Sequence, residues 1–385
     1  MIFGLAILSI VIAAIFVDRL SRAERSHDPN TVEFKTGKDG RLLLLRGTVN
    51  QTPTTFVVDT GATRTIFDVG FKNELGEPLG ASPVASPDGE VQLQEFACPS
   101  IRFEELKVQA SQPVFCFDLT QMRVASGESF TAVLGMDILQ QLWLEVDFDK
   151  GMLRLTKPVD GSKPAPTLGV GLPITLKAGT PHVEVRSGSL SASFMVDTAA
   201  SNSCLDAQAF DDLAHTGHLQ PGPEYVSLTA VGRRSARIGL LESLEVGPFS
   251  HRDLLVEESG MNLLGLSYLS RYRLAFDFPN SVVYLTAGDG FHKPELRGTS
   301  GLSLVRDRGK LMVASVRQRG AADVAGVEAD DEVLFIGEEQ ADVIDMFRAR
   351  QLLTGTPGRT VPLTLARNGE QIKVALVVQD RLGNH

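Results

Sequence analysis

Phe56-Val57-Val58-Asp59-Thr60-Gly61-Ala62-Thr63-Arg64-Thr65 drives three apolar, strand-forming residues straight into an acid and then turns at once. A solvated loop aspartate needs no such approach, and a core strand would avoid burying a carboxylate without partners. Residues 194–203, FMVDTAASNS, repeat the arrangement around Asp197. Working outward, a second landmark recurs in the same order. The run VLGMDILQQLWLEVDFDKGMLRL from Val133 aligns without gaps on LLGLSYLSRYRLAFDFPNSVVYL from Leu263, at an offset of 130 positions. Leu134/Leu264, Gly135/Gly265, Leu139/Leu269, Leu144/Leu274, Asp147/Asp277, Phe148/Phe278 and Leu155/Leu285 are identical across it. The two aspartates are offset by 138, so the copies differ by 8 residues of loop, which a surface tolerates. Two landmarks recurring in one order imply two homologous lobes that bring both acids to one site.

The bulk properties restrict what that site does. A chain of 385 residues has room for two or three domains. A net charge of −10, with no basic tract, argues against nucleic acid as a partner. Cys98, Cys116 and Cys204 are too few for a disulfide framework and lack zinc-ligand spacing; Cys98 and Cys116 read better as unpaired core thiols than as a bridge. The seven histidines are scattered, and HExxH, P-loop, GxSxG and GxGxxG patterns are all missing, so no metal and no cofactor is expected.

Met1 to Val17 is an unbroken apolar run. It is a little short of the roughly 30 Å hydrocarbon core and reads as a signal segment or membrane anchor over 1–25. Arg22 at the single small-x-small exit disfavours cleavage. The expected location is membrane-anchored or secreted on the extracytoplasmic side, periplasmic in a bacterium. Arg19, Arg22 and Arg25 point the other way, because positive charge after the run holds the following chain inside. The anchor is favoured and its sidedness stays open.

Short strands dominate both copies: RLLLLRGTVN, FVVDT, VQLQEF and LKVQAS in the first, HVEVRSG, SASFMVDT, SARIGLL and LLVEE in the second. Helix is expected only after each Leu-Gly and near DAQAFDDLAH. The divisions read are lobe 1 over 32–157, a Pro/Gly-rich linker over 158–172, lobe 2 over 173–290 and a third domain over 296–380. In the third, a strand follows Gly301, another spans Lys310 to Val316, GAADVAGV and DMFRARQLLTG are helices, and Asn368-Gly369 turns a hairpin.

On these residues the first two lobes resemble retropepsin-like aspartic proteases, and the last ~85 residues resemble a PDZ domain. The resemblance covers roughly 40 to 290 for the protease part. It implies a mainly β fold, with two acid-protease β-barrel lobes forming a pseudo-dimer and a C-terminal α+β PDZ domain. Asp59-Thr60-Gly61 with Val133-Leu134-Gly135 fits the family pattern. Asp197-Thr198-Ala199 with Leu263-Leu264-Gly265 departs once, with Ala199 for glycine. Ala62 and Ala200, three after each acid, are as in the retroviral enzymes. The implied roles are a catalytic pair, Asp59 and Asp197, with Thr60 and Thr198 bonding across to the opposite loop. Gly61 permits close backbone approach, and Ala199 sets a methyl where the other lobe has none. In the PDZ-like part, Gly301, Leu302, Ser303 and Leu304 stand where the family binds a peptide carboxylate, with Asp330 replacing a family glycine.

The leading reading is a membrane-associated aspartic endopeptidase acting on a peptide or protein substrate, with the PDZ domain taking a peptide ligand. The alternative is a catalytically silent peptide-binding scaffold, with Ala199 as the trace of lost activity. A serine protease is discounted for want of GxSxG or a credible Ser-His-Asp order. Segments around ASPDGEVQLQ and SLTAVGRRSARIG read equally as substrate-covering flaps or as ordinary hairpins. Arg64 and Asp137 are expected to pair in lobe 1 alone, because lobe 2 has Asn202 and Ser267 there.

Overall fold

A computed structural model describes residues 28–86, 89–159, 169–229 and 232–383. The predicted N-terminal segment 1–25 therefore lies outside the described residues. The chain is mainly β. Short strands carry alternating buried and exposed positions, and the longest helix of the two lobes is Ala207–His215.

The repeat seen in the sequence is a repeat in space. In lobe 1 the strand Thr52–Val58 runs parallel to Ala132–Leu134, with Val133 opposite Val57 and Leu134 opposite Val58. In lobe 2 Leu190–Val196 runs parallel to Leu263–Leu264, with Met195 opposite Leu263 and Val196 opposite Leu264. The glycine after each pair is required by space. A Cβ on Gly135 would overlap the Arg64 carbonyl, and one on Gly265 would overlap the Asn202 carbonyl. Other repeat identities are structural. Leu139, Leu269, Leu144, Leu274, Phe148 and Phe278 are all core. Asp147 and Asp277 each accept the N–H three residues on, Lys150 at 3.0 Å and Asn280 at 3.2 Å, closing equivalent turns.

One six-stranded sheet joins the lobes through Trp143–Asp147 and Tyr272–Asp277, which pair antiparallel. Its register sets Glu145 opposite Ala275, Leu144 opposite Phe276 and Val146 opposite Leu274. Residues 145 and 275 are themselves repeat mates at the 130 offset, so the approximate twofold axis passes through that pair. Val170–Pro173 is the last strand of the same sheet, paired with Val282–Ala287. This corrects the predicted linker 158–172, of which 160–168 lies outside the described residues. Gly and Pro in VGLP read as loop, yet an edge strand tolerates both.

The lobes share one hydrophobic core, whereas the third domain has its own, built on Leu304, Val313, Val333, Ile336, Leu363 and Leu365. Its sheet order begins with Leu302–Asp307 at the edge, followed by Lys310–Val316, Glu332–Ile336, Thr360–Arg367 and Glu370–Val377. The final hairpin turns at Asn368 and Gly369 with φ of 52° and 84°, as the Asn-Gly pair predicts. Besides the single turn Lys72–Leu75, a longer helix of lobe 1, Thr120–Ser126, is missed by the sequence reading. Its signals were present: the Asp118 carboxylate accepts the Thr120 N–H at 2.9 Å, and Gly127 closes the helix at φ 76°.

Candidate active site

Each acid sits at the end of a strand whose last residues are buried, Phe56 to Val58 and Phe194 to Val196. The backbone N–H of Asp59 donates to Leu134 O at 3.1 Å, and that of Asp197 to Leu264 O at 3.0 Å. Thus the Leu-Gly strands hold the acids in place. The two turns are built alike. Asp59 Oδ1 accepts from the N–H groups of Gly61 (2.8 Å) and Ala62 (3.0 Å). Asp197 Oδ1 accepts from Ala199 (2.8 Å) and Ala200 (2.9 Å). Each carboxylate is fixed through one oxygen.

The turns meet each other across the lobe boundary. The Thr60 N–H donates to Thr198 Oγ1 and the Thr198 N–H to Thr60 Oγ1, both at 3.1 Å. The two hydroxyls donate onward, Thr60 Oγ1 to Val196 O at 2.6 Å and Thr198 Oγ1 to Val58 O at 2.8 Å. Both threonines are fully buried. A Cβ built on Gly61 would stand 2.6 Å from Asp197 Oδ2 and 2.7 Å from its Cγ, so the lobe 1 turn lies directly against the lobe 2 carboxylate. The structure therefore brings Asp59, Thr60, Gly61, Asp197, Thr198 and Ala199 together.

The electrostatics follow from this closeness. Burial pushes the Asp59 carboxyl well above its ordinary value, and the neighbouring Asp197 charge raises it further, against the pull of the Gly61 and Ala62 N–H groups. Burial raises Asp197 too, against the Ala199 and Ala200 N–H groups. Two raised carboxyls facing each other hold one proton between them more readily than none.

Thr60→Val is expected to destabilise the fold measurably. It strands the Thr198 N–H and the Val196 carbonyl, and each buried polar group left unpaired costs about 1–3 kcal/mol. Urea denaturation should show the loss.

The expected Arg64–Asp137 pair does not form. Arg64 turns to Glu95 at 2.6 Å and lies over the Phe115 ring, because the hairpin strand Gly89–Phe96 passes closer to it. Asp137 is buried and accepts the Thr65 N–H (2.9 Å) and hydroxyl (2.8 Å), the place taken in lobe 2 by Ser267 with Ser203. Its other oxygen is buried with no hydrogen-bond partner among the described residues, and burial raises its carboxyl. A folded-state pKa raised above the unfolded one means stability is fully present at acid pH and is lost as pH rises through the folded value. Asp137→Asn keeps the acceptor and cannot ionise. Its melting point relative to the parent should therefore climb from acid to neutral pH in a calorimetric series.

The two candidate flap segments lie in hairpins, 80–96 in lobe 1 and 219–246 in lobe 2, with 87–88 and 230–231 outside the described residues. In the third domain Gly301, at φ 73°, opens the edge strand. The N–H groups of Gly301 and Leu302 donate within the chain, to Thr299 Oγ1 and Ser300 Oγ, both at 3.2 Å. Ser303 pairs with Ser315 in the sheet and Leu304 is core. All three cysteines are free thiols. Among the described residues no cluster suits a metal ion, and no helix is long and apolar enough to cross a membrane. Two surface concavities, of about 550 and 1930 Å³, are lined by neither acid.

Comparison with known proteins matches one segment within each lobe and one within the third domain. The aspartyl protease family model matches residues 45–138 and 183–268, and a PDZ domain model matches 298–378. The two protease segments begin 138 residues apart and end 130 apart, the offsets of the internal repeat. No curated protein matches the chain. Among solved structures, the photosystem II D1 C-terminal processing protease is similar over 23% of this chain and 25% of its own, at 18% identity. With a TM-score of 0.21 that likeness carries no argument. The described chain carries two aspartyl protease-like lobes, one for each aspartate, and a C-terminal PDZ domain.

Proposed function

We propose that this protein is an aspartic endopeptidase that hydrolyses peptide bonds with a water held between Asp59 and Asp197. The observation that carries the reading is the reciprocal Thr60–Thr198 bonding, which levels the two acid turns face to face in one chain. With one proton shared, the ionised acid takes a proton from water as it attacks the peptide carbonyl. The protonated acid hydrogen-bonds to the carbonyl oxygen, where charge develops, and the acid that took the water's proton passes it to the leaving amine as the C–N bond breaks. Activity requires that proton, so it falls as pH rises through the upper apparent pKa of the pair and favours acid conditions.

The lobes meet within one chain, so a monomer is competent and its specific activity does not depend on enzyme concentration. Digestion of a peptide library by a serial dilution of enzyme tests this. A rate rising with the square of concentration would place the working site between chains. The apolar run Met1–Val17 tethers the enzyme to a membrane, and the PDZ domain takes a peptide or protein ligand. Carbonate extraction and protease protection of the intact chain test the tether and its side.

A further inference from the structure

The edge strand Leu302–Asp307 and the Met346–Leu352 helix of the PDZ domain flank the face on which an added peptide strand would lie. The lobe 1 helix Thr120–Ser126 abuts that edge strand. Gly127, just past it, fits so tightly on the PDZ helix that a Cβ there would overlap the Met346 side chain. Arg350 of the PDZ helix donates to the Ala125 and Ser126 carbonyls, satisfying groups that a helix end leaves unpaired. Arg41 of lobe 1 pairs with Asp345 at the start of the PDZ helix and lies over Phe347.

The other side of the same helix packs on the cluster beneath the acid turns. Arg123 pairs with Asp68 at 2.7 Å, and Asp68 ends the strand that follows the Asp59 turn. Met122 packs on the buried cluster of Val57, Leu119, Phe130 and Val133, as do Ala62 and Ala199 from the two acid turns. The helix also abuts Leu219–Thr229, the first strand of the lobe 2 hairpin.

From this geometry we infer that the lobe 1 helix is a built-in occupant of the PDZ peptide face, and that a peptide displacing it releases the lobe 2 hairpin and activates the peptidase. The closure stands on the contacts above; its consequence for cleavage rests on the peptidase reading. A ligand must first open the PDZ face, so its apparent affinity is reduced by the open fraction.

The test uses the full chain and a fluorescein-labelled pool of decapeptides with free, apolar C-termini, with the amidated pool as control. Binding is read by anisotropy in the Asp59→Asn background, where the probe is not cut. Arg41→Ala/Arg350→Ala should tighten binding by about tenfold, within the usual range for coupled sites. In the Asp59→Asn chain, saturating pool should speed hydrogen exchange at 120–127, a measurement that needs no latch variant to fold. In the active chain, Arg41→Ala/Arg350→Ala should raise kcat/KM on a short reference peptide severalfold, about 5-fold or more. Equal binding by parent and double variant, or no binding to either, overturns the closure. Tighter binding with unchanged or lower cleavage overturns the coupling. A chain that cleaves nothing refutes the peptidase reading and the coupling together, and the closure is then judged on binding alone.

Discussion

Asp59→Asn and Asp197→Asn should each lower peptide cleavage by at least about 10³-fold, within the range that one positioned acid or base supplies, while raising the melting point near neutral pH. The loss is expected because the pair divides two roles, and an amide can neither take a proton from water nor give one to the leaving amine. The gain comes from the same geometry. Both carboxyls are raised by burial, and Asp59 also by its neighbour's charge. Each acid therefore contributes stability that is present at acid pH and is lost as pH rises through its folded value. Asparagine keeps an acceptor for the Gly61 and Ala62 N–H groups, or for those of Ala199 and Ala200, without the charge. Calorimetry from acid to neutral pH should show the two variants pulling ahead of the parent as pH rises. Mixing them should restore little cleavage, since neither chain supplies an intact pair. Undiminished cleavage by Asp197→Asn would make lobe 2 structural and require two copies of Asp59 to meet in a dimer.

Gly61→Ala should cost about 10²-fold in kcat, the scale expected of a small misplacement of reacting groups, whereas Ala199→Gly should cost nothing. The added methyl at 61 would stand 2.6 Å from Asp197 Oδ2. That carboxylate cannot swing aside without losing two backbone bonds, so the turns must part instead. Ala199 already has its methyl in place, packed on the cluster of Val57, Leu119, Phe130 and Val133, and removing it opens space without breaking a bond. Steady-state kinetics of the pair, beside their melting points, checks both. Wild-type kcat from Gly61→Ala would mean that the two turns separate in the working enzyme. Loss of activity in Ala199→Gly would mean that the methyl positions an acid, which the silent-scaffold alternative has no reason to require.

What the sequence determined by itself was duplicated, or local with a strong pattern. Strand alternation, the acid at the end of a buried run, the glycine after two apolar residues and the Asn-Gly turn are short-range patterns, each with one dominant physical reading. Duplication then supplied the long-range fact that single patterns lack, because two copies of one unit imply a twofold relation and hence two acids at one site. The Thr60–Thr198 bonding followed from resemblance, since nothing in either triplet names its partner atoms. The tertiary structure alone decided which of several equivalent partners each side chain reached. Arg64 took Glu95 rather than Asp137 because a hairpin from elsewhere in the lobe lies nearer. Asp137 took Thr65, trading a charge pair for two hydrogen bonds in the core. Val170–Pro173 became a strand because the edge of the inter-lobe sheet lay open to it. The placement of the PDZ face on Thr120–Gly127 depends on contacts more than two hundred residues apart, such as Arg350 with Ala125. Propensity and periodicity act within a few residues of chain, and docking of one finished surface on another is set by shape and charge that exist only once both have folded.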